Sequence, residues 1–363
     1  MPSRRSPQKA FPPPPGPYPV KIHSNVELVD HYRLETLAPN GSAPQPRHIM
    51  TSIFQPLTHL RNCTQPVANE YVPSAVVTIY EQFFGIPIGT IEQLQLYDCD
   101  VQPTPSNETQ LLLFSPAFTA TRFAYSAELQ TIASWGYTII SVDHTYEALA
   151  VQFPDGHIAY STVSNSTIYD PFVPIRLADL KFVLESVKAG EVRPLQPFKL
   201  NTNRVGVFGH SMGGATAISA LVNDTRFAAG ANHDGTMYGD VLKLGTGAPV
   251  LLMASTGHNQ TEDPSWYDVW QRLRGWGLQL QIEPSSHQLY SDLQLINKIV
   301  GGSLAGLLGD DPIDGTRAFE LMCKYTVAFF DHFLKGKGEG VLNAPSSAYP
   351  EVIFENQTRQ ASL

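Results

Sequence analysis

The chain has 363 residues, of which 42 % are hydrophobic and only 16 % charged, a composition that excludes an intrinsically disordered protein. The net charge is −9, from 24 basic and 33 acidic side chains, which argues against a nucleic-acid-binding function. No stretch approaches about 18 consecutive apolar residues, so the sequence predicts no transmembrane helix.

The N-terminal third combines two strand patterns with proline-rich connections. Residues 1–24 are rich in proline and are expected to be flexible. Strands are predicted at residues 26–32 and 49–54. Residues 56–108 contain six prolines and are interpreted as a long irregular insertion rather than a second domain.

Strand and helix patterns alternate from residue 110 onward. Residues 111–114 are continuously apolar, which is typical of a strand buried on both faces. The other predicted strands are at residues 137–142, 205–208, 227–232, 250–254 and 278–282, and the predicted helices are at residues 122–135, 174–187, 212–222, 265–274 and 316–333. The alternation predicts an α/β fold with a mostly parallel central sheet and helices on both faces. We expect one such domain over residues 25–340, followed by a C-terminal tail at residues 341–363.

The segment from Gly209 to Gly213 reads G-x-S-x-G and stands between a predicted strand and a predicted helix. Glycines are needed at its ends because side chains there would collide with the neighbouring strand and helix where the chain turns sharply. Such a turn raises the hydroxyl of Ser211 above the sheet, close to the N-terminus of a helix. The context therefore predicts an α/β-hydrolase fold with Ser211 as the nucleophile.

A serine nucleophile needs a histidine base and a carboxylate that orients the histidine, and in this fold the acid precedes the histidine along the chain. His287 follows the last predicted strand in a polar turn, where the base is expected. His258 follows the strand at residues 250–254, where this fold more often has the acid, and His332 lies within a predicted helix. We therefore predict His287 as the base.

The residues by themselves leave the acid open between two aspartates. Asp234 follows the strand at residues 227–232, and Asp263 follows the next predicted strand. Glu262 is a weaker candidate. Spacing alone gives Asp234 and Asp263 nearly equal weight.

Two fixed N–H groups must bind the oxyanion that develops on the substrate. One is expected from Met212, directly after the nucleophile, and the other from the loop after residues 111–114. Pro116 in that loop has no N–H, so Ala117 or Phe118 is the candidate donor. No C-x-x-C or H-E-x-x-H motif occurs, and the sequence implies neither a metal nor another cofactor.

The chain carries an excess of N-x-S/T sequons, where chance would give about two. The seven acceptor residues are Asn40, Asn62, Asn107, Asn165, Asn223, Asn259 and Asn356. This excess predicts a secreted, extracellular glycoprotein, and because no signal-peptide pattern is visible we expect that peptide to be absent from this chain. In an oxidising compartment Cys63 and Cys99 are the natural disulfide partners, since Cys323 lies in a strongly apolar helical pattern.

Several short blocks resemble the platelet-activating-factor acetylhydrolase family, particularly its fungal secreted members, in order and in spacing. In chain order they are Leu113-Phe114-Ser115, Arg122, Tyr125-Ser126, Trp135-Gly136-Tyr137, Val142-Asp143-His144, Phe153-Pro154-Asp155-Gly156, Gly209-His210-Ser211-Met212-Gly213, His233-Asp234-Gly235 and Ser286-His287-Gln288. The resemblance spans roughly residues 25–335 and implies that Asp234 is the acid, His287 the base and Phe118 the second oxyanion donor. It also implies a serine esterase that removes short acyl groups from lipid-like or small-molecule esters through an acyl-enzyme.

One loop departs from the family pattern. Where the family has Ser-His/Pro-Gly-Leu-Gly, this chain reads Ser115-Pro116-Ala117-Phe118-Thr119, without either glycine. Ala117 and Thr119 restrict the backbone, and Phe118 narrows the space beside the acyl carbon. The substrate is therefore left open, and a general short-acyl esterase or an enzyme for a natural-product ester or thioester would both fit.

Two further interpretations stand beside this one. A cutinase-like or polyester hydrolase would share the serine turn, but it would need a shallow, open site, which the long segment at residues 56–108 disfavours. A hydrolase-fold protein used only for binding or assembly would not need the intact set of Ser211, Asp234 and His287, although the altered loop is compatible with it.

Overall fold

The computed structural model describes residues 9–101, 109–163, 169–196, 198–302, 304, 308 and 313–358. The strands are β1 (Lys9–Ala10), β2 (Val20–Leu34), β3 (Pro46–Pro56), β4 (Pro66–Glu70), β5 (Leu94–Cys99), β6 (Gln110–Ser115), β7 (Tyr137–Asp143), β8 (Ala150–Gln152), β9 (Ile158–Tyr160), β10 (Val205–His210), β11 (Phe227–His233), β12 (Val250–Ala254), β13 (Gly277–Ile282) and β14 (Val352–Thr358). The α-helices of these residues are α1 (Ser74–Phe83), α2 (Ser126–Ala133), α3 (Phe172–Lys188), α4 (Met212–Asn223), α5 (Val241–Leu244), α6 (Pro264–Trp270), α7 (Leu293–Ile299) and α8 (Gly315–Lys335). The strands and helices predicted from residue 110 onward are all present close to their expected bounds.

Nine strands form the central sheet, in the order β14-β13-β12-β11-β10-β6-β7-β3-β2. The six inner strands, from β13 to β7, run parallel, whereas β14, β3 and β2 are each antiparallel to a neighbour. After β7 the chain crosses back to place β10 on the other side of β6. In sheets of this kind ligands bind beyond the carboxyl ends of the strands that flank such a reversal, which here are β6 and β10.

The two faces of the sheet carry separate hydrophobic clusters, because successive side chains of a strand point to opposite faces. On β6, Leu112 and Phe114 join the cluster formed with α1, α2, α7 and α8. Leu111 and Leu113 join the cluster formed with α3, α4 and α6. The sheet is therefore covered by helices on both faces, which confirms the predicted fold class.

The segment at residues 56–108 is more regular than the sequence analysis expected. It contains β4 and β5, which form a small sheet with β1, and α1 lies between them. The buried residues of α1 include Val76, Val77 and Tyr80, which pack into the core. Prolines delimit these elements instead of abolishing them, because a proline suits the position before a helix or the start of a peripheral strand, as Pro73 and Pro66 do here.

Both ends of the chain also differ from their predictions. In the described part of residues 1–24, Phe11 is buried and β2 already begins at Val20. Residues 341–363, expected as a tail, contribute β14, which pairs with β13 at the edge of the central sheet. The sequence of β14 carries no strand signal, because only its first residue, Val352, is buried and the segment lacks the alternation of a half-buried strand.

The predicted disulfide is present in this peripheral region. Cys63 and Cys99 are joined, with Cα atoms 5.6 Å apart, and Cys323 is a buried free thiol. The bond ties the connection after β3 to the end of β5. None of the helices in the described part of the chain has the length and apolar character needed to cross a bilayer.

Candidate active site

Ser211 stands on a sharp turn between β10 and α4. Its backbone has φ 56° and ψ −123°, a conformation that residues other than glycine rarely adopt. Its amide donates to the carbonyl oxygen of His233 over 2.8 Å, which holds the turn against the neighbouring strand. Backbone strain of this kind persists only where the surroundings enforce it, and it is concentrated at functional sites.

Close backbone contacts require the glycines around this turn. A Cβ at Gly213 would lie 1.9 Å from the carbonyl oxygen of Ser115, and a Cβ at Gly209 would lie 2.4 Å from the same atom. A Cβ at Gly235 would lie 1.9 Å from the carbonyl oxygen of Ser211. The predicted collisions therefore exist, and they show how closely the ends of β6, β10 and β11 approach one another at Ser211.

Asp234 and His287 form a hydrogen-bonded pair at the same edge of the sheet. Asp234 directly follows β11 with φ 59°, and His287 lies in the turn after β13. Nδ1 of His287 is 2.7 Å from Oδ2 of Asp234. The side chain of His287 is 45 % exposed and that of Asp234 only 2 %, so the imidazole faces the accessible space and the carboxylate lies behind it.

Four hydrogen bonds hold the carboxylate of Asp234. Ser255 donates from its N–H to Oδ1 and from its hydroxyl to Oδ2, each over 2.7 Å. The imidazoles of His287 and His258 make the other two bonds. Burial by itself would raise the pKa of Asp234, but the hydrogen bonds and charges of the two histidines outweigh it and lower the pKa far below its usual range. Asp234 is therefore ionised at neutral pH.

The two aspartates that the sequence left as rivals share His258 as a partner, but of the two only Asp234 contacts His287. Asp234 contacts both His287 and His258, whereas Oδ2 of Asp263 is 3.0 Å from Nε2 of His258. Asp263 also accepts a hydrogen bond from the N–H of Ser265 over 2.9 Å and so caps α6. Of the two, Asp234 has the geometry expected of an acid that orients His287.

The remaining candidates of the sequence analysis have other surroundings. Glu262 is exposed to solvent. His332 lies in α8 and donates from Nδ1 to the carbonyl oxygen of Lys337 over 2.6 Å. Among the residues that the structure describes, no group of three or more His, Cys, Asp or Glu side chains has the arrangement of a metal site.

The loop after β6 and the start of α4 both border the cavities at Ser211. The N–H of Ala117 already donates to the hydroxyl of Tyr125 over 3.1 Å, which leaves Phe118 as the loop candidate. Phe118 borders both cavities that Ser211 borders. Met212 is the first residue of α4, and the first N–H groups of a helix have no acceptor within the helix.

A buried ion pair anchors this loop from behind. Arg176 on α3 donates to the carbonyl oxygens of Pro116 and Ala117 over 2.7 and 3.2 Å, and to the hydroxyl of Ser115 over 3.1 Å. Its guanidinium also pairs with the carboxylate of Glu147, and each of the two side chains is 1 % exposed. Such a buried, fully bonded arginine fixes the loop backbone in one position.

The loop keeps a left-handed turn although it lacks the family's glycines. Thr119 has φ 62°, the region that a glycine would occupy without strain. The ring of Phe118 packs against Tyr169 and Phe172, with ring centroids 5.2 and 5.1 Å away. Thr119 therefore holds a conformation that glycine would favour, and the side chain of Phe118 lies at the border of both cavities beside Ser211.

His210 adds a neutral ring next to His287. The ring centroids of the two histidines are 4.5 Å apart. Burial, and then the charge of His287, lowers the pKa of His210 well below its usual value. The hydroxyl of Tyr125 is 3.0 Å from Nδ1 of His210, so one hydroxyl connects this ring to the N–H of Ala117.

Arg176 and His258 are the site residues that the sequence analysis did not assign. Arg176 lies on the buried face of α3 with Val173 and Leu180, at helical spacing, and a charged residue at such a position was the available signal. In the sequence His258 is a candidate base, and its position gives no sign of a contact with an aspartate. Its contact with Asp234 depends on the path of the loop after β12, for which the sequence has no local signal.

Two cavities meet at Ser211, and both are bordered by Phe118 and His287. The first, the apolar pocket, has a volume of about 170 Å³ and is lined mainly by aliphatic and aromatic side chains, among them Tyr80, Phe84, Ile86, Ile91, Leu293 and Ile296. The second, the hydroxyl-lined cleft, has a volume of about 390 Å³ and is bordered by Tyr169, Thr236 and Tyr238. Helix α1 and the connection after it contribute several of the residues that line the apolar pocket.

Comparison with a solved structure identifies the class of protein. A ferulic acid esterase from Streptomyces cinnamoneus superposes with a TM-score of 0.81 and 28 % sequence identity, over 96 % of this chain and 99 % of that one. Together with the sheet order and the serine turn, this match makes the protein a carboxylic ester hydrolase with the α/β-hydrolase fold.

Sequence comparison identifies the family. A probable 1-alkyl-2-acetylglycerophosphocholine esterase of Arthroderma benhamiae is 31 % identical over 95 % of this chain and 93 % of its own length. A platelet-activating factor acetylhydrolase of Cavia porcellus is 24 % identical over 62 % of this chain and 57 % of its own length. The family described as platelet-activating factor acetylhydrolase, isoform II, matches residues 190–341. The chain belongs to the platelet-activating factor acetylhydrolase family, and the predicted resemblance is confirmed.

Proposed function

We propose that the protein hydrolyses short-chain acyl esters through an acyl-enzyme on Ser211, with His287 as the base and Asp234 as the orienting acid. The observation that carries this proposal is the buried, ionised Asp234 bound to Nδ1 of an exposed imidazole that borders the same cavities as Ser211. A carboxylate in this position fixes the tautomer in which Nε2 is free to accept a proton.

In the first half of the reaction, the hydroxyl oxygen of Ser211 attacks the carbonyl carbon of the ester while Nε2 of His287 takes its proton. The oxyanion of the tetrahedral intermediate accepts hydrogen bonds from the N–H groups of Met212 and Phe118. The intermediate then breaks its bond to the alcohol oxygen, which leaves with the proton from His287. The charge of Asp234 stabilises the imidazolium during this step.

In the second half, a water molecule replaces the alcohol. His287 takes a proton from this water as its oxygen attacks the acyl carbon, and the same two N–H groups bind the second oxyanion. Collapse of this intermediate breaks the bond to Ser211, which recovers its proton from His287. The products are one carboxylic acid and one alcohol for each ester and each water consumed.

The two cavities differ in polarity, so each suits a different part of an ester substrate. We assign the acyl group to the apolar pocket, whose volume suits a group of up to about six carbon atoms, by comparison with cavities of about 150 Å³ that bind benzene. We assign the alcohol to the hydroxyl-lined cleft, where Tyr169, Thr236 and Tyr238 offer hydrogen-bonding groups. The name of the Arthroderma relative pairs an acetyl group with a glycerophosphocholine alcohol, which supports this division.

The competing interpretations fit these features less well. A polyester hydrolase needs a site open to a polymer surface, whereas α1 walls the apolar pocket here. A protein used only for binding would have no need of an ionised, four-fold hydrogen-bonded Asp234 beneath a solvent-facing imidazole. Hydrolysis of short esters therefore has the strongest support.

Substitution of Ala124, which borders the apolar pocket, tests the acyl assignment. Ala124→Leu adds an isopropyl group to the wall, so we expect the longest accepted acyl chain in a p-nitrophenyl ester series to shorten by about two carbons, with less than about threefold loss on the acetyl ester. Ala189→Leu makes the same change at the exposed C-terminal end of α3 and serves as the control. An unchanged chain-length profile in Ala124→Leu would place the acyl group elsewhere.

We also propose that the protein is secreted and N-glycosylated. Asn40, Asn62 and Asn223 are exposed, whereas Asn356 lies in β14 with its side-chain nitrogen bonded to Gln279. Asn259 is half-buried, and the sequons at Asn107 and Asn165 lie outside the described residues.

The expected result in a eukaryotic secretory host is a mass decrease on treatment with peptide-N-glycosidase. Occupancy mapped by mass spectrometry should be higher at Asn40 and Asn62 than at Asn223 and Asn356. The side-chain nitrogen of Asn223 donates to Ser219 and that of Asn356 to Gln279, and glycosylation would cost each its hydrogen bond. Protein from such a host that keeps its mass under this treatment would refute glycosylation.

A further inference from the structure

His258 lies between two carboxylates, those of Asp234 and Asp263. Its Nδ1 is 2.8 Å from Oδ1 of Asp234, and its Nε2 is 3.0 Å from Oδ2 of Asp263. A neutral imidazole carries a proton on only one ring nitrogen, and an ionised carboxylate can only accept. Two carboxylates at hydrogen-bond distance from the two nitrogens are therefore satisfied only when His258 carries both protons and a positive charge.

The surroundings of His258 support this charge. Asp234 faces it from the end of β11, Asp263 from the start of α6, and His287 lies across the Asp234 carboxylate. Burial lowers the pKa of His258, but the hydrogen bonds and charges of the two carboxylates outweigh this and raise the pKa to about 9. Asp263 is correspondingly held ionised, with its pKa lowered to about 2 despite the opposing effect of burial.

The packing also restricts the movement of the ring. His258 is 17 % exposed, and its centroid is 4.3 Å from that of Trp266, whose indole nitrogen donates to the carbonyl oxygen of Gly235. A cation close to an aromatic ring gains further stabilisation. Neither cavity at Ser211 is bordered by His258, so its effect on the reaction has to pass through Asp234.

We propose that His258 is a positioning residue, a cation that holds the Asp234 carboxylate toward His287 and offsets part of its negative charge. The inference rests on the proposed function, since it concerns the acid of the same site. A carboxylate attracts a proton onto a neighbouring imidazole, and a cation on the far side of the carboxylate weakens that attraction. Loss of the charge on His258 should therefore strengthen the hold of Asp234 on a proton at His287, and Asp263 is the residue that keeps His258 charged.

Two variants and one matched control test this role through the pH dependence of kcat/KM between about pH 5 and pH 9. His258→Gln removes the charge but keeps an amide donor for Asp234, and Asp263→Asn removes the second carboxylate but keeps a good cap for α6. Glu262→Gln removes the neighbouring, exposed carboxylate. The acid limb is the part of the profile in which kcat/KM falls as the pH is lowered. Its midpoint should move up by about one pH unit in His258→Gln and by less in Asp263→Asn, with KM changed by less than about twofold. The profile of Glu262→Gln should match that of the unmodified protein.

The proposal would be overturned if the acid limbs of both variants coincided with that of the unmodified protein, even if kcat had fallen. A merely structural role would reduce turnover without moving the acid limb. Should His258→Gln fail to fold, Asp263→Asn decides alone, since the asparagine preserves the helix cap.

Imidazole ¹⁵N NMR on the Ser211→Ala protein measures the charge without turnover. At about pH 7.5, below the raised pKa of His258, both ring nitrogens should be protonated, and the addition of Asp263→Asn should lower the pH at which the second proton is lost. A neutral His258 in a protein whose turnover depends on Ser211 would overturn this inference alone. Hydrolysis that persists in Ser211→Ala would overturn the proposed function and this role with it, whatever the charge on His258.

Discussion

Replacement of Ser211 by alanine is expected to lower kcat for short-chain ester hydrolysis by about 10⁴-fold or more, while the protein stays folded. The hydroxyl is the attacking group of the proposed acyl-enzyme, so its loss removes the covalent pathway. The fold should tolerate the change because the strained turn depends on backbone contacts, such as the bond from the Ser211 amide to His233, which alanine retains. The measurements are steady-state kinetics on p-nitrophenyl acetate and thermal unfolding followed by circular dichroism.

A labelling experiment adds a second test of the same residue. A fluorophosphonate should add one phosphonyl group to the peptide that contains Ser211, and the label should be absent from Ser211→Ala. Ser347→Ala, at an exposed position of the connection between α8 and β14, is the matched control and should behave as the unmodified protein. Ester hydrolysis that survives in a pure Ser211→Ala preparation would refute the nucleophile.

Asp234→Asn is expected to lower kcat by about 10⁴-fold, the size found when the tautomer of a catalytic histidine is wrong. The carboxylate accepts hydrogen bonds on both oxygens, from Ser255, His258 and His287 together. An asparagine has an NH₂ group in place of one oxygen, so it must meet at least one of these donors with a donor of its own. His287 would then be held in the wrong orientation, or left without a partner on Nδ1.

Asp263→Asn provides the comparison for this prediction. Its carboxylate contacts His258 and caps α6, so the substitution should cost less than about tenfold in kcat at the optimal pH, and its main effect should be on the acid limb. Both variants are to be measured with the same ester and checked for folding. The reverse ranking would refute Asp234 as the acid and leave Ser211 and His287 unaffected.

The two aspartates show what a single sequence can establish about the site and what it leaves open. Each follows a parallel strand, and parallel strands end at the same edge of a sheet, so position along the chain could not separate them. The family resemblance favours Asp234, and the structure gives the physical basis. The tight turn at Gly235 brings Asp234 to His287, while the path of the loop after β12 turns Asp263 toward His258.

By itself the sequence determined the α/β alternation, the strand–turn–helix around Ser211 and the Cys63–Cys99 disulfide. These features have local signals, namely apolar periodicity, glycines at fixed offsets and the placement of a few cysteines. The tertiary structure alone decided that β4 and β5 form a small sheet with β1, that α1 lines the apolar pocket, and that β14 completes the central sheet. Pairings of this kind join segments that are far apart along the chain, so no local pattern encodes them. The hydrogen bonds of Arg176 to the loop after β6 and the contacts of His258 with two aspartates have no sequence signal for the same reason, because a buried charge becomes interpretable only when its partners are known.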